Sequence, residues 1–364
     1  MKNFFLVSLV SVIFLSACNT QLPQSDGEVS RLKQIDLVSS VPNYTHTTDD
    51  KLTDAWGLEF GHTGRVWLNN SSGFSTVYDG NGDIVMTKDA QGKPVPLAVK
   101  IPVHPGEEEA APLTGMVFSD KDDFSGDSFV FVTEHGTIAG WHKLANGFEP
   151  LEATMRVDNS QSGAVYKGVT SAKTATGWRL YAANFAKNKV EIYDTKYTLM
   201  NFPGAFIDAD LPKDYAAFNI KEITGELYVT YARQSIDQQN DIPGLGNGYI
   251  SVFDTDGKFL RRFASNGQLN SPWGLALAPD DFGNLSGLLL VGNFGDGHIH
   301  AFDPENGGFV RTVMDEAGQP LQIDKLWALT FGTDNGAGAH NELFFAAGPS
   351  AEDQGLFGKF KLLP

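Results

Sequence analysis

Residues 271–303 read SPWGLALAPDDFGNLSGLLLVGNFGDGHIHAFD, and this stretch decides the fold. A short apolar run, 273–277, leads through a Pro-Asp-Asp-Phe-Gly turn into a second apolar run, 288–291. The next turn contains Asp-Gly, which supplies the positive φ angles of a tight reversal. Residues 298–302 then alternate polar and apolar, the pattern of a strand with one buried face. A further run at 309–314 completes four antiparallel strands in one short unit.

The unit recurs around the chain. Trp273 of PWGLAL aligns with Trp56 of AWGLEF, Thr114 of LTGMVF, Lys167 of YKGVTS, Asn219 of FNIKEI and Trp327 of LWALTF. The successive spacings are 58, 53, 52, 54 and 54 residues. The third strand ends in an aromatic-Asp pair four times: Tyr78-Asp79, Tyr193-Asp194, Phe253-Asp254 and Phe302-Asp303, with Gly140-Trp141 in that place in repeat two. The strand before it matches as VWLNN, VFVTE, LYAAN, LYVTY, LLVGN and LFFAA. A four-stranded unit repeated at a period near fifty residues is the mark of a β-propeller. The expected fold is all-β, a six-bladed β-propeller of four-stranded antiparallel blades.

Composition agrees. The 39 Gly and 26 Phe among 364 residues suit many short strands packed through aromatic side chains. No segment keeps a helical period. A formal charge of −17 would repel a phosphate backbone, so no nucleic-acid partner is expected.

In chain order, residues 1–17 read as a targeting segment: Lys2, a short apolar run, then Leu15-Ser-Ala-Cys18. This end resembles a bacterial lipobox, which implies a lipoprotein signal, acylation (palmitate) at Cys18 and attachment to the cell envelope. Asn19 resembles outer-membrane sorting, which implies an exported, lipid-anchored location there, with the lipid as the sole membrane contact. Cys18 is the only cysteine, so no intrachain disulfide is expected. Residues 18–30 are polar and carry Pro, Gly and Ser, a flexible tether. Residues 31–364 form the propeller. Repeat six has only three strands of its own, ending at 356–362, so the alternating stretch 31–39 is expected to supply its fourth strand and close the ring.

Strand alternation places three longer loops on one face, here called the top: the acidic connector 104–112, the insertion 234–247 and the turn 348–355. Binding elements gather where such loops meet. The phrases DAWGLEF, GTIAGW, AVYKGV, LYAANF, LYVTYA, GNGYISVFDTDGKFLRR, SPWGLALAP, LLVGNFGDGHIHAFD and LWALTFG resemble a family of secreted bacterial propellers of unassigned function. More distantly the repeats are similar to NHL-repeat and gluconolactonase-like six-bladed propellers. That resemblance implies six blades and little about activity.

No nucleophile elbow, zinc spacing or phosphate-binding Gly loop stands in the sequence, and His298 and His300 read as a surface pair. Counting back ten residues from Asp79, Asp194 and Asp303 reaches Asn69, Asn184 and Asn293, with Glu134 at the equivalent place in repeat two. At the ends of second strands, these four would offer oxygens to a hard cation such as Ca²⁺, as gluconolactonase-like propellers do at the channel mouth. The competing reading is that each Asn caps its own turn. Trp56, Trp273 and Trp327 on neighbouring blades would face Lys167 and Asn219 across the mouth, a wall suited to an amphipathic ligand. The competing reading buries the three indoles between blades. Two functions stay open. The preferred one is a monomeric binding or scaffold propeller recognising a small molecule, glycan or envelope protein. The alternative is a Ca²⁺-dependent hydrolase resembling lactonases, with Asp54, Glu134 or Asp296 as its base.

Overall fold

The computed structural model describes residues 29–119 and 123–363. The targeting segment, Cys18 and most of the tether lie outside the described residues. Six four-stranded antiparallel blades follow one another around a central channel. Their first, channel-side strands are Ala55–Phe60, Leu113–Phe118, Tyr166–Thr174, Tyr215–Ile223, Pro272–Leu277 and Leu326–Phe331. Among the described residues helical structure is limited to three short 3₁₀ turns, so no helix there is long and apolar enough to cross a membrane.

Ring closure is as expected. Arg31–Ser39 lies antiparallel on Leu356–Leu362 as the outer strand of blade 6, from Leu32 opposite Leu362 to Ser39 opposite Leu356. Leu32, Leu37 and Val38 are buried, which explains why this stretch is apolar. One detail differs from the sequence reading. The run expected at 309–314 is broken: Phe309–Thr312 stays in blade 5, while Met314–Asp315 crosses to pair in parallel with Arg31–Ser39. Val313, between the two pieces, is buried in the blade 5–blade 6 core, and this pulls the chain across the seam.

Two repeated sequence features have local causes. Asp79, Asp194 and Asp254, which follow the third strands, each accept two backbone N–H bonds within the next four residues, closing the turn to the outer hairpin or strand. The glycine after the aligned position lets neighbouring first strands approach closely. A Cβ on Gly57 would stand 2.6 Å from the Thr114 carbonyl, and one on Gly274 2.8 Å from the Trp327 carbonyl. Large apolar side chains fill the seams between blades. Trp67 of blade 1 stacks on Phe129 of blade 2 with ring centroids 4.1 Å apart. Burying such a side chain contributes about 1.5–3 kcal/mol.

Candidate functional site

The channel is closed by an aromatic plug. Trp56, Trp273 and Trp327 are 3, 2 and 1 % exposed and touch one another. Trp56 stacks on Trp327 at 3.5 Å, and Trp273 meets both edge-on at 5.3 and 5.1 Å. Phe294 stacks on the other face of this group, 3.8 Å from Trp327, and Phe218 fills the blade 4 side. The three indoles sit on neighbouring blades, as aligned, but they make a core rather than an open aromatic wall.

Above the plug lies a cavity of about 480 Å³, within the range of small-molecule sites. All three top-face loops reach it, through Pro112, through Asn240, Asp241 and Pro243, and through Ala351, Glu352 and Asp353. Trp56, Trp327 and Phe294 form its floor, with Asp54, Glu134, Lys167 and Lys325 around it. Of the sequence-derived residues, Asp54, Trp56, Glu134, Lys167 and Trp327 therefore meet in one place.

Three of the blades hold the residue two before the aligned Trp in the left-handed region. Asp54, Ser271 and Lys325 have φ of 41°, 46° and 53°. None is glycine, and such a conformation costs roughly 1–3 kcal/mol per residue. Two of the three line the cavity. In the turn at its rim, Ser350, Ala351 and Glu352 have φ of 60°, 55° and 72° in succession. Asp54, Lys325, Ala351 and Glu352 thus bring left-handed backbone to the cavity lining.

Asp54 is 4 % exposed. One carboxyl oxygen accepts the Trp56 indole N–H, and the other accepts that of Trp327 at 2.7 Å. Burial raises its pKa to about 7; the two indole bonds oppose that rise, and the charges of Glu352 and Glu134 reinforce it. Asp241, from the blade 4 insertion, is also raised by burial, eased in part by Ser271 and by the charges of Lys167 and Lys325. The Lys167 ammonium is bonded to Glu134 and lies 4.8 Å from the Trp56 ring centre. The Lys325 ammonium is 3.0 Å from Glu352 and 4.1 Å from the Phe294 ring centre. Each lysine is thus paired with its own glutamate over an aromatic face.

The remaining sequence-derived residues lie elsewhere. Asn219 and Trp273 line a much smaller cleft further along the channel, where Lys221 and Glu59 pair across it at 2.9 Å. The Asn219 amide donates to the Trp273 carbonyl at 2.8 Å, tying blade 4 to blade 5. Asp296 sits in its own turn, bonded to Asn270 and to the His298 backbone. The asparagines do not converge. Asn69 donates to the Thr114 and Gly115 carbonyls across the blade 1–blade 2 seam. The Asn184 oxygen accepts backbone N–H groups of Val165 and Lys187, and the Asn293 oxygen accepts that of Asn270. With Glu134 engaged by Lys167, these donors do not fit a shared Ca²⁺. Among the described residues no three His, Cys, Asp or Glu side chains gather into a metal-holding group.

Sequence reading missed Lys325, Asp241, Phe294 and Glu352. Lys325 had a signal, because it stands in the same alignment column as Asp54 and Ser271. Asp241 lies inside the insertion singled out as a binding loop, but nothing in the sequence aims it inward.

The fold and this mouth define a six-bladed propeller with a built top-face cavity. The chain is 35 % identical to "Uncharacterized protein R648" of Acanthamoeba polyphaga mimivirus, across 88 % of this chain and 78 % of that protein. It is 31 % identical to "Uncharacterized protein L690" of the same virus, across 85 % of this chain and 80 % of that one. The chain belongs to the family of these mimivirus proteins. These relatives are viral, so they lend no support to the bacterial setting implied by the N-terminal resemblance. No protein-family model matches the chain. Among solved structures it is similar in fold to a Bacteroides thetaiotaomicron protein of unknown function, with TM-score 0.54, 13 % identity and coverage of 92 % and 76 % of the two chains. It is similarly close to the PQQ-bound aldose sugar dehydrogenase of Streptomyces coelicolor, with TM-score 0.51, 11 % identity and coverage of 92 % and 98 %. At these identities the likeness concerns the fold alone.

Proposed function

We propose that this propeller is a ligand-binding module whose site is the top-face cavity. The observation that carries this reading is the polar ring around a 480 Å³ cavity, contributed by separate blades and held on left-handed backbone above an aromatic floor. Left-handed backbone at a cavity mouth is the kind of stored strain that pre-organises contacts to a ligand. Calorimetry of the purified chain against small polyols, sugars, amines, carboxylates and lactones tests it. Binding whose affinity is changed by Glu134→Gln and by Lys325→Met supports the reading. Binding untouched by both changes moves the site elsewhere on the surface.

One observation favours a hydrolytic variant of the same site. Asp54, with its pKa near 7 in a water-accessible cavity, is suited to exchange a proton with a bound substrate. Lactone turnover that is abolished by Asp54→Asn would select this reading, and tight binding without turnover would reject it.

The lipid anchor at Cys18 belongs to the proposal through the stretch Leu15-Ser-Ala-Cys18 alone. Mass spectrometry of membrane-extracted protein is expected to show an acylated N-terminal Cys. Identical processing and fractionation of Cys18→Ser would count against it.

A further inference from the structure

We infer that the ligand of the top-face cavity carries a protonated amine, received by Asp241 and Asp54 above the aromatic floor. This rests on the binding reading given above. The first support is charge accounting within the cavity. Lys167 and Lys325 are each engaged by their own glutamate, Glu134 and Glu352. Two carboxyl groups, those of the buried Asp54 and the half-buried Asp241, are left without a bonded cation.

The second support is independent of charge. The Asp241 Oδ2 atom is buried and has no hydrogen-bond partner. So is the hydroxyl of Ser271, a residue with no exposed surface; it lies close enough to ease the Asp241 carboxyl but outside hydrogen-bonding geometry. A buried acceptor left unsatisfied costs about 1–3 kcal/mol, and more when it is charged. Ser271 offers a single O–H donor, whereas a carboxylate has about four acceptor sites, so the group still missing beside Asp241 is a donor. An ammonium supplies several N–H donors and a positive charge together.

The floor explains why the cation is organic. A hard metal ion asks for six to eight oxygens, and rings of Trp56, Trp327 and Phe294 supply none. The protein's own ammonium groups already show what these faces attract, at 4.8 Å over Trp56 and 4.1 Å over Phe294. Burial has pushed both carboxyls above the ordinary range, as expected of acids that wait for a cation.

The test uses the full chain at pH 8, with phenethylamine, its neutral analogue 2-phenylethanol, phenylacetate and CaCl₂ as probes. Calorimetry and indole fluorescence are the readouts, since Trp56 and Trp327 form the floor. Phenethylamine is expected to bind at least roughly tenfold more tightly than the other three, the worth of one charge-assisted hydrogen bond. Asp241→Asn is expected to remove most of that preference. Lys325→Met, which takes away a competing cation, is expected to tighten amine binding several-fold and keeps the test open if Asp241→Asn fails to fold. Equal or tighter binding of the alcohol, the acid or Ca²⁺ overturns the amine and leaves the binding site standing. No response to any of the four at millimolar concentration overturns both.

Discussion

The Asp54 carboxyl of blade 1 accepts the Trp327 indole N–H of blade 6 at 2.7 Å while its other oxygen holds Trp56. One acid thus joins the first and last blades at the closing seam of the ring. The burial of this acid also makes the protein sensitive to pH. The folded pKa of Asp54 is about 7 against 3.8 for the free side chain. The native state therefore keeps a proton that the unfolded chain releases between these values. Stability from this group is fully present below about pH 4 and is lost as pH rises through 7. Urea unfolding from pH 4.5 to 8 is expected to show this decline in wild type and a flatter profile in Asp54→Asn. Parallel profiles would mean that the Asp54 charge does not couple to folding.

The outer strand Arg31–Ser39 carries the second expectation. It covers the open edge of Leu356–Leu362 and buries Leu32 completely. Deleting residues 31–39 is expected to lower thermal stability of the whole ring, because it uncovers a sheet edge and an apolar core. Leu32→Ala alone is expected to cost about 2–5 kcal/mol by leaving a cavity. Deleting residues 21–27 is expected to leave the melting temperature unchanged. If both truncations melt like wild type, the strand is dispensable for closure.

Much of the fold was legible because a propeller repeats its own instructions. The WG, TG and KG pairs at the first strands and the aromatic-Asp pairs at the third recur for local reasons, a close strand approach and a backbone-capped turn. The site was legible only in part. Which blades carry Trp56, Trp273 and Trp327 followed from the period, but the direction each indole faces is set by packing against one another and against Phe218 of blade 4 and Phe294 of blade 5. The asparagines misled for the same reason. Asn69 is bonded to Thr114, forty-five residues away, and no local pattern announces such a contact. Asp241 reaches the cavity on an inserted loop, outside any repeat column.

Asp127 at the blade 2–blade 3 seam should be among the least tolerant positions. It has no exposed surface and receives two bonds from Arg156, at 2.8 and 2.7 Å, one from the Tyr197 hydroxyl at 2.7 Å, and a contact with His142 at 3.1 Å. Tyr197 comes from blade 3, so one carboxylate holds two blades. Asp127→Ala strands the guanidinium and is expected to cost about 3–5 kcal/mol. Gly140→Ala is expected to be costly as well, since its Cβ would fall on the Asp127 carboxylate. Chemical denaturation of both variants checks this, and losses below about 1 kcal/mol would show that the seam holds without the acid.

The Lys167–Glu134 pair should respond asymmetrically to the loss of each partner. The Lys167 side chain is 2 % exposed, whereas that of Glu134 is 24 % exposed at the cavity. Removing the glutamate charge strands a buried ammonium, eased by the Trp56 and Phe185 faces and the distant pull of Asp241. Removing the lysine leaves a carboxylate that water reaches. Glu134→Gln is therefore expected to destabilise by about 1–3 kcal/mol, and Lys167→Met, which keeps the apolar stem over Trp56, by less. The double variant is expected to be more stable than the sum of the two losses predicts, with a coupling on the order of 0.5–3 kcal/mol. Urea unfolding of the four proteins at pH 8 measures the cycle. Equal single losses with no coupling would show that the ammonium is solvated through the cavity, and the pairing of each lysine with its own glutamate would then no longer support an amine ligand.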